Sequence, residues 1–250
     1  MHIKARRFLA SGVLAGLVST PVFAQIPTDV ATELDRLLAQ VADAPADRNL
    51  TERARRLELL GDVEIRAKML GAARSAFEEA STLREQNSGD DRDLGRLAFK
   101  LATVARLDNR PADAERQIEV AVARLRNGAP TSPEYADALM ESAQAAASRN
   151  RGAFAEETYR EALGVVAKIQ PGSAREAELS ELLGDAAVRR KDLEGADQLY
   201  SRSLAVLEAS RPTSLDYARV ANALAVVAAS RNQGPRAQGL YEASLGIHET

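Results

Sequence analysis

Cysteine and tryptophan are absent from the 250 residues, histidine occurs twice, and aromatic residues make up only 4%. Without cysteine there is no disulfide, no thiolate nucleophile and no cysteine-ligated metal, and in an oxidising compartment there is nothing to mispair. His2 and His248 stand at the two extremes of the chain, so no imidazole cluster can be assembled from them. Scarce aromatics and abundant alanine suit close-packed helices better than strands, which draw on β-branched and aromatic residues. Clustered positive charge is missing as well. Thirty-three basic residues are interspersed with 36 acidic ones for a net charge of −3, which is no footprint for displacing phosphate counterions. No nucleic-acid partner, no cofactor and no metal are expected. The apolar (45%) and charged (28%) fractions are those of an ordinary soluble protein, enough for one large domain or two small ones.

A sustained apolar run occurs only near the start. Residues 1–24 read as a secretory signal peptide: Lys4, Arg6 and Arg7, then apolar residues from Phe8 to Val18, then a break at Pro21. Val22-Phe23-Ala24 has the small-residue cleavage pattern, which places the cut between Ala24 and Gln25. Loss of the three basic residues takes the net charge from −3 to −6. The alternative is an uncleaved anchor, but about eleven apolar residues cover only half of a hydrocarbon core that needs roughly twenty. Phe8 directly follows the arginine pair, where the twin-arginine route usually has an intervening residue, so ordinary secretion is expected. The expected location is the periplasm or the outside, with no stable membrane anchor after cleavage.

The remainder repeats itself. Ala129 to Gly164 aligns without gaps on Arg211 to Gly246, two steps of 41 residues away. At that step alanine stands at Ala73, Ala114, Ala155, Ala196 and Ala237, and four residues later come Phe77, Ile118, Tyr159, Tyr200 and Tyr241. Twelve residues before the alanines lie Gly61, Ala102, Ala143, Gly184 and Ala225; seven after them lie Ala80, Ala121, Ala162, Ser203 and Ser244. Small side chains let helix backbones approach, and one large neighbour fills the gap that is left. Apolar residues at helical spacing run along both halves of each unit, so each unit is expected to be a helical hairpin. Asn109, Asn150 and Asn232 mark inner turns, where asparagine tolerates a left-handed backbone. Between units, Pro130, Pro171 and Pro212 are each followed two residues later by Ser132, Ser173 and Ser214, a stop and then a cap. Asp91 is expected to cap in the second unit, Pro133 to open its helix, and Ser173 with Glu176 to form a capping box.

This pattern of small, small, aromatic and small residues resembles the tetratricopeptide repeat, in its long-period form of about 41 residues similar to kinesin light chains. The resemblance implies an all-α solenoid of five helical hairpins, 53–93, 94–134, 135–175, 176–216 and 217–250, in an exported bacterial protein. The chain departs from the family in lacking its early tryptophan and in carrying Glu64, Ala105, Ala146, Ala187 and Ala228 where the first helix has a tyrosine. The alternative architecture is a plain helical bundle. Residues 25–52 are expected to supply a capping helix and a linker. Val30, Leu34, Leu37, Leu38 and Val41 form one apolar stripe over Thr28 to Ala42, and a loop with Pro45 follows. A partner-binding role for that helix is the alternative.

The resemblance also implies that the first helix of each hairpin lines a concave, ligand-holding side. Carried onto this chain, that lining is Arg55, Glu58 and Asp62; Arg96, Phe99, Thr103 and Arg106; Asp137, Met140 and Gln144; Glu178, Glu181 and Asp185; and Arg219, Asn222 and Val226. The other reading is that these are solvated helix faces. Arg96 and Arg106 around Phe99, against Glu178, Glu181 and Asp185, would make a groove with ends of opposite sign. A second candidate surface is the C-terminal end, with Leu240, Leu245 and Ile247 available to a partner or to a second copy in a homodimer. No catalytic residue is expected: adjacent acids such as Glu156 and Glu157 diverge by about 100° on a helix. The expected function is a non-catalytic protein- or peptide-binding scaffold of the bacterial envelope. The alternatives are a structural subunit of a larger complex that uses its ends or convex face, and an enzyme.

Overall fold

The computed structural model describes residues 26–43, 49–87 and 89–248. The leader 1–24, the Ala24–Gln25 cleavage pair and the loop around Pro45 lie outside the described residues. Every regular element among the described residues is an α-helix. The chain divides into two units, one ending at Ala129 and the other starting at Pro130. The first holds α1 (Thr28–Asp43), α2 (Leu50–Arg66), α3 (Leu70–Gln86), α4 (Asp91–Leu107) and α5 (Pro111–Gly128). The second holds α6 (Pro133–Ser148), α7 (Gly152–Ile169), α8 (Ala174–Arg189), α9 (Leu193–Ser210), α10 (Leu215–Ser230) and α11 (Gly234–His248). Within each unit, consecutive helices pair as hairpins and consecutive hairpins stack. Each unit is a tetratricopeptide-like stack of helical hairpins, two behind a leading helix in the first unit and three in the second.

Side-chain caps open the first helix of every hairpin. Asn49 accepts from the Glu52 N–H at 3.0 Å, and Ser132, Ser173 and Ser214 accept from Tyr135, Glu176 and Tyr217 at 3.1, 3.3 and 3.1 Å. In the second hairpin the cap is Asp90, not Asp91 as expected. Asp90 has the extended backbone a cap requires and accepts from the Asp93 N–H at 2.8 Å, whereas Asp91 is already helical and binds Arg124 at 2.7 Å. The box at Ser173 is also displaced by one residue, because the Glu176 carboxylate accepts from the Gly172 N–H at 2.7 Å. Pro133 opens α6 as expected, and Pro111 opens α5, where a missing N–H costs nothing.

Each hairpin turns through one left-handed residue. Asn109, Asn150 and Asn232 have φ of 54°, 60° and 60°, and Lys68 and Lys191 hold the same place at 59° and 64°. The N–H after each of these residues reaches back to the carbonyl of Glu64, Ala105, Ala146, Ala187 or Ala228, at 2.8 to 2.9 Å. Five Schellman closures thus use the five positions that depart from the family's tyrosine. The lysines went unread in the sequence because lysine carries no turn signal. The hairpin pairing dictates the conformation there despite a Cβ cost.

The small positions are contact points. Gly61, Ala102, Ala143, Gly184 and Ala225 are all buried. A Cβ on Gly61 would stand 2.5 Å from Phe77 Cε1, and one on Gly184 would stand 2.8 Å from Tyr200 Cε1. The ring of the second helix therefore lies directly on the backbone of the first. Between hairpins, Leu97 and Val104 of α4 close over Ala54, Leu57, Ala73 and Phe77, and Val220, Leu224 and Val227 of α10 close over Ala177, Tyr200 and Leu207. On the leading side of the first hairpin, α1 buries Val30, Leu34 and Leu37 against Leu60, Val63 and Ala67, with Leu38 and Val41 partly covered. The apolar stripe of α1 is thus spent on capping α2.

Candidate interaction surface

The expected groove residues lie on α2, α4, α6, α8 and α10, and burial sorts them. Met140 is buried, as are Glu58 and Glu181 at 8% exposure each. Asp62, Arg96, Phe99, Thr103, Asp137 and Asp185 are half-buried, and Arg55, Arg106, Gln144, Glu178, Arg219, Asn222 and Val226 are exposed.

Most of the charged residues are engaged with the neighbouring hairpin or turn. Glu58 receives both arms of the Arg96 guanidinium at 2.9 and 3.0 Å, with Lys100 Nζ at 3.3 Å. Asp62 takes Lys100 at 2.5 Å. Asp137 pairs with Arg175 at 2.5 Å, Glu181 with Arg219, and Arg55 with Glu52 at 2.9 Å. Asp185 accepts from the Tyr200 hydroxyl at 2.5 Å. Burial on its own would raise the Glu58 carboxyl, but hydrogen bonds from Arg96 and the charges of Lys100 and Arg96 outweigh it and hold the group below the usual range. At Asp137 burial wins: it raises the carboxyl, Arg175 offsets only part of this, and Glu134 adds to the rise.

A rule emerges that the sequence reading missed. Glu58–Arg96, Asp62–Lys100, Asp137–Arg175 and Glu181–Arg219 each join an acid on the first helix of one hairpin to a base 38 residues later, on the first helix of the next. The signal was legible as acid and base recurring three residues short of the repeat step. Within the first unit Arg96 answers Glu58, and within the second Glu181 answers Arg219. Lys100 and Arg175, absent from the expected set, belong to this seam.

Glu156 and Glu157 face different surroundings, as the helical angle requires. Glu156 binds Arg160 at 2.5 Å and also Arg190, while Glu157 is exposed. Burial would raise the Glu156 carboxyl, but hydrogen bonds from Arg190 and Arg160 lower it overall. It is a held carboxylate with two guanidinium partners, a poor proton acceptor.

At the C-terminal end the candidates separate. Leu240 packs inward beside the cluster that holds Tyr200 and Leu224, and Ile247 is half-buried. Leu245 is 59% exposed and lines an open groove of about 650 Å³ with Leu215, Asp216, Ala218, Arg219, Asn222, Tyr241 and Ser244, in which the Asp216 carboxylate lies 3.1 Å from Arg219. Two expected groove residues, Arg219 and Asn222, thus share one concavity with an expected end residue. Val226, 49% exposed, and Leu215, 69% exposed, extend the apolar character of this hairpin. Among the described residues no helix is long and apolar enough to cross a membrane.

The architecture is found in solved structures. BtubC (BKLC) from P. vanneervenii superposes with a TM-score of 0.68 at 19% identity, covering 92% of each chain. A putative kinesin light chain of Podosopora anserina, described as having nearly identical TPR-like repeats, gives 0.58 at 16% identity over 80% of this chain and 97% of its own. YrrB, described as a TPR protein with an unusual peptide-binding site, gives 0.58 at 12% identity over 86% of this chain and 93% of its own. No protein-family model and no curated protein matches the chain. At these identities the likeness is one of fold.

Proposed function

We propose that the chain is a non-catalytic scaffold that captures a protein or peptide in the bacterial envelope. The observation that carries the reading is the division of labour on the first helices. Acids and bases at the seams are consumed in stacking the hairpins, while Gln144, Glu178, Asn222 and Val226 stand exposed beside them on the same helices. Such a surface is rigidly presented and broad, which is what recognition of an extended or helical segment needs. YrrB, which shares the fold, is described as holding a peptide-binding site. The adjacent acids Glu156 and Glu157 are split, with Glu156 tied to Arg160 and Arg190. The basic start and short apolar run of residues 1–24 support export.

Photo-crosslinkers placed in intact cells at Phe99, Gln144 and Glu178, with the attached proteins identified by mass spectrometry, test the scaffold. A reproducible partner at these positions supports capture; none there, with partners found only from convex-face or end positions, replaces it by a purely structural subunit. Fractionation with intact-mass measurement tests export. A periplasmic species starting at Gln25 is expected, and a cytoplasmic full-length chain removes the envelope assignment.

A further inference from the structure

Tyr159 and Tyr200 hold the same place of the repeat, on the second helices of two successive hairpins of the second unit, yet their hydroxyls end differently. Tyr200 donates to Asp185 of its own hairpin at 2.5 Å. The residue that matches Asp185 beneath Tyr159 is Gln144, which is exposed. Tyr159 is only 7% exposed, and its hydroxyl has no hydrogen-bond partner among the described residues. A phenol oxygen so nearly enclosed is a donor and an acceptor held ready at one point of the surface. Burial pushes this hydroxyl up, and the charge of Glu178 pushes it further, with Arg189 offsetting part of the rise. The Glu178 carboxylate, on the first helix of the next hairpin, therefore lies within electrostatic reach of the phenol.

The first helices on either side are short of base. α6 and α8 carry seven acidic residues and two basic ones. Asp137, Glu176 and Glu181 are answered by Arg175, Arg202 and Arg219, and Asp185 by the Tyr200 hydroxyl. Glu134 and Glu178 have no ion pair among the described residues, and Glu178 is exposed. Asp137 registers the surplus, since Glu134 adds to the rise that burial causes there and Arg175 opposes.

We infer that Gln144, Tyr159 and Glu178 receive the ammonium of a lysine side chain from the captured protein. An ammonium has three N–H donors, and the amide oxygen, the phenol oxygen and the carboxylate are three acceptors. The carboxylate supplies the countercharge, and the two neutral acceptors replace water that the ammonium gives up. Met140, one turn before Gln144, and Leu182, one turn after Glu178, offer apolar surface to the methylene stem. The matching place in the fourth hairpin is closed on itself by the bond between Tyr200 and Asp185, so the third hairpin alone of these two presents an open phenol. The inference rests on the scaffold reading and names the side chain that the scaffold holds.

The test selects binders from a random peptide display library on the full chain and titrates a labelled selected peptide by fluorescence anisotropy. The selected sequences are expected to share one lysine. Acetylating that lysine, or Glu178→Gln in the chain, is expected to weaken binding about ten-fold. Tyr159→Phe is expected to weaken it several-fold with an unmoved urea midpoint, because the hydroxyl it removes has no partner in the free chain. Tyr200→Phe, which breaks the bond to Asp185, should lower the midpoint and leave the lysine preference in place. Glu178→Lys should turn the selection toward acidic peptides. No enriched peptide, enriched peptides without a shared lysine, binding indifferent to Glu178→Gln or to Tyr159→Phe, or arginine serving as well as lysine overturns the inference. So does light scattering that shows a doubled mass abolished by Glu178→Lys, since a second copy then supplies the lysine. Crosslinks at Phe99 that persist where the lysine dependence fails remove this site and leave the scaffold. A lysine-dependent peptide site with no crosslinked partner in cells removes capture and leaves the site.

Discussion

Glu58 and Asn222 hold the same position of the repeat, four steps apart, yet one is buried under the next helix and the other is exposed. At Glu58 the following helix brings Arg96 and Lys100 over a desolvated carboxylate; at Asn222 the position is uncharged and borders an open groove. The contrast teaches what this position does. Where a hairpin is covered by one that carries a base, a carboxylate fixes the registry of the stack. At Asn222 there is no buried carboxylate to be answered, so the position tolerates an uncharged side chain at no electrostatic cost.

The largest effect should come from stripping the covered side. Arg96→Ala leaves Glu58 buried with Lys100 as its remaining cation and is expected to cost about 2–3 kcal/mol, read as a lowered urea midpoint. Asn222→Ala at the matching position should stay within about 0.5 kcal/mol. Equal losses from the two would dissolve the comparison. Next come the small positions, which should not depend on which end of the stack they occupy. Gly61→Ala forces a methyl into Phe77, and Ala155→Leu or Ala196→Leu overfills a hairpin, each costing about 1–3 kcal/mol. An unmoved midpoint would mean these positions are not helix contacts.

The pH dependence carries a sign. The Glu58 carboxyl lies below its ordinary value in the folded chain, so its stabilisation is fully present above the ordinary glutamate range, about 4.3, and is lost as pH falls toward the folded value. Asp137 is raised, so its carboxylate works against folding as pH climbs from the ordinary aspartate range through the folded value. Replacing Glu58 by Gln should flatten the fall of the urea midpoint between pH 6 and pH 3, and Asp137→Asn should steepen it. Parallel curves for the two variants would mean that the seams do not differ electrostatically.

The smallest effects sit at a matched serine pair. Ser203 is fully buried with no hydrogen-bond partner for its hydroxyl among the described residues, while Ser244, one step on, donates to the Ala218 carbonyl at 2.9 Å. Ser203→Ala is expected to stabilise by about 0.5–1 kcal/mol and Ser244→Ala to destabilise by about as much. Thermal melts of the two variants should shift in opposite directions.

Much of this was legible in advance because a solenoid is local. Contacts run within a hairpin or to the next one, so a 41-residue rhythm of alanine, aromatic and capping residues encodes nearly every packing partner. The alanine at the core of each hairpin, the serine caps and the asparagine turns could all be read from their spacing. The surface was harder. Residues on one helix face look alike in sequence whether they meet water or an arginine from the next hairpin, and so Glu58, Glu181 and Met140 read as lining when they are buried. Asp91 read as a cap because Asp90 and Asp91 are adjacent acids, and only backbone direction separates a capping residue from a first-turn one.

The sequence by itself determined the hairpins, their period and their small-against-large packing, because each depends on side-chain volume and turn chemistry within a few dozen residues. Only the tertiary structure decided which charges are spent in the seams, that Lys68 and Lys191 are bent into left-handed turns, and that Leu240 turns inward while Leu245 stays open. Those outcomes depend on which neighbouring surface reaches a side chain first, and that is set by how one hairpin comes to rest on another.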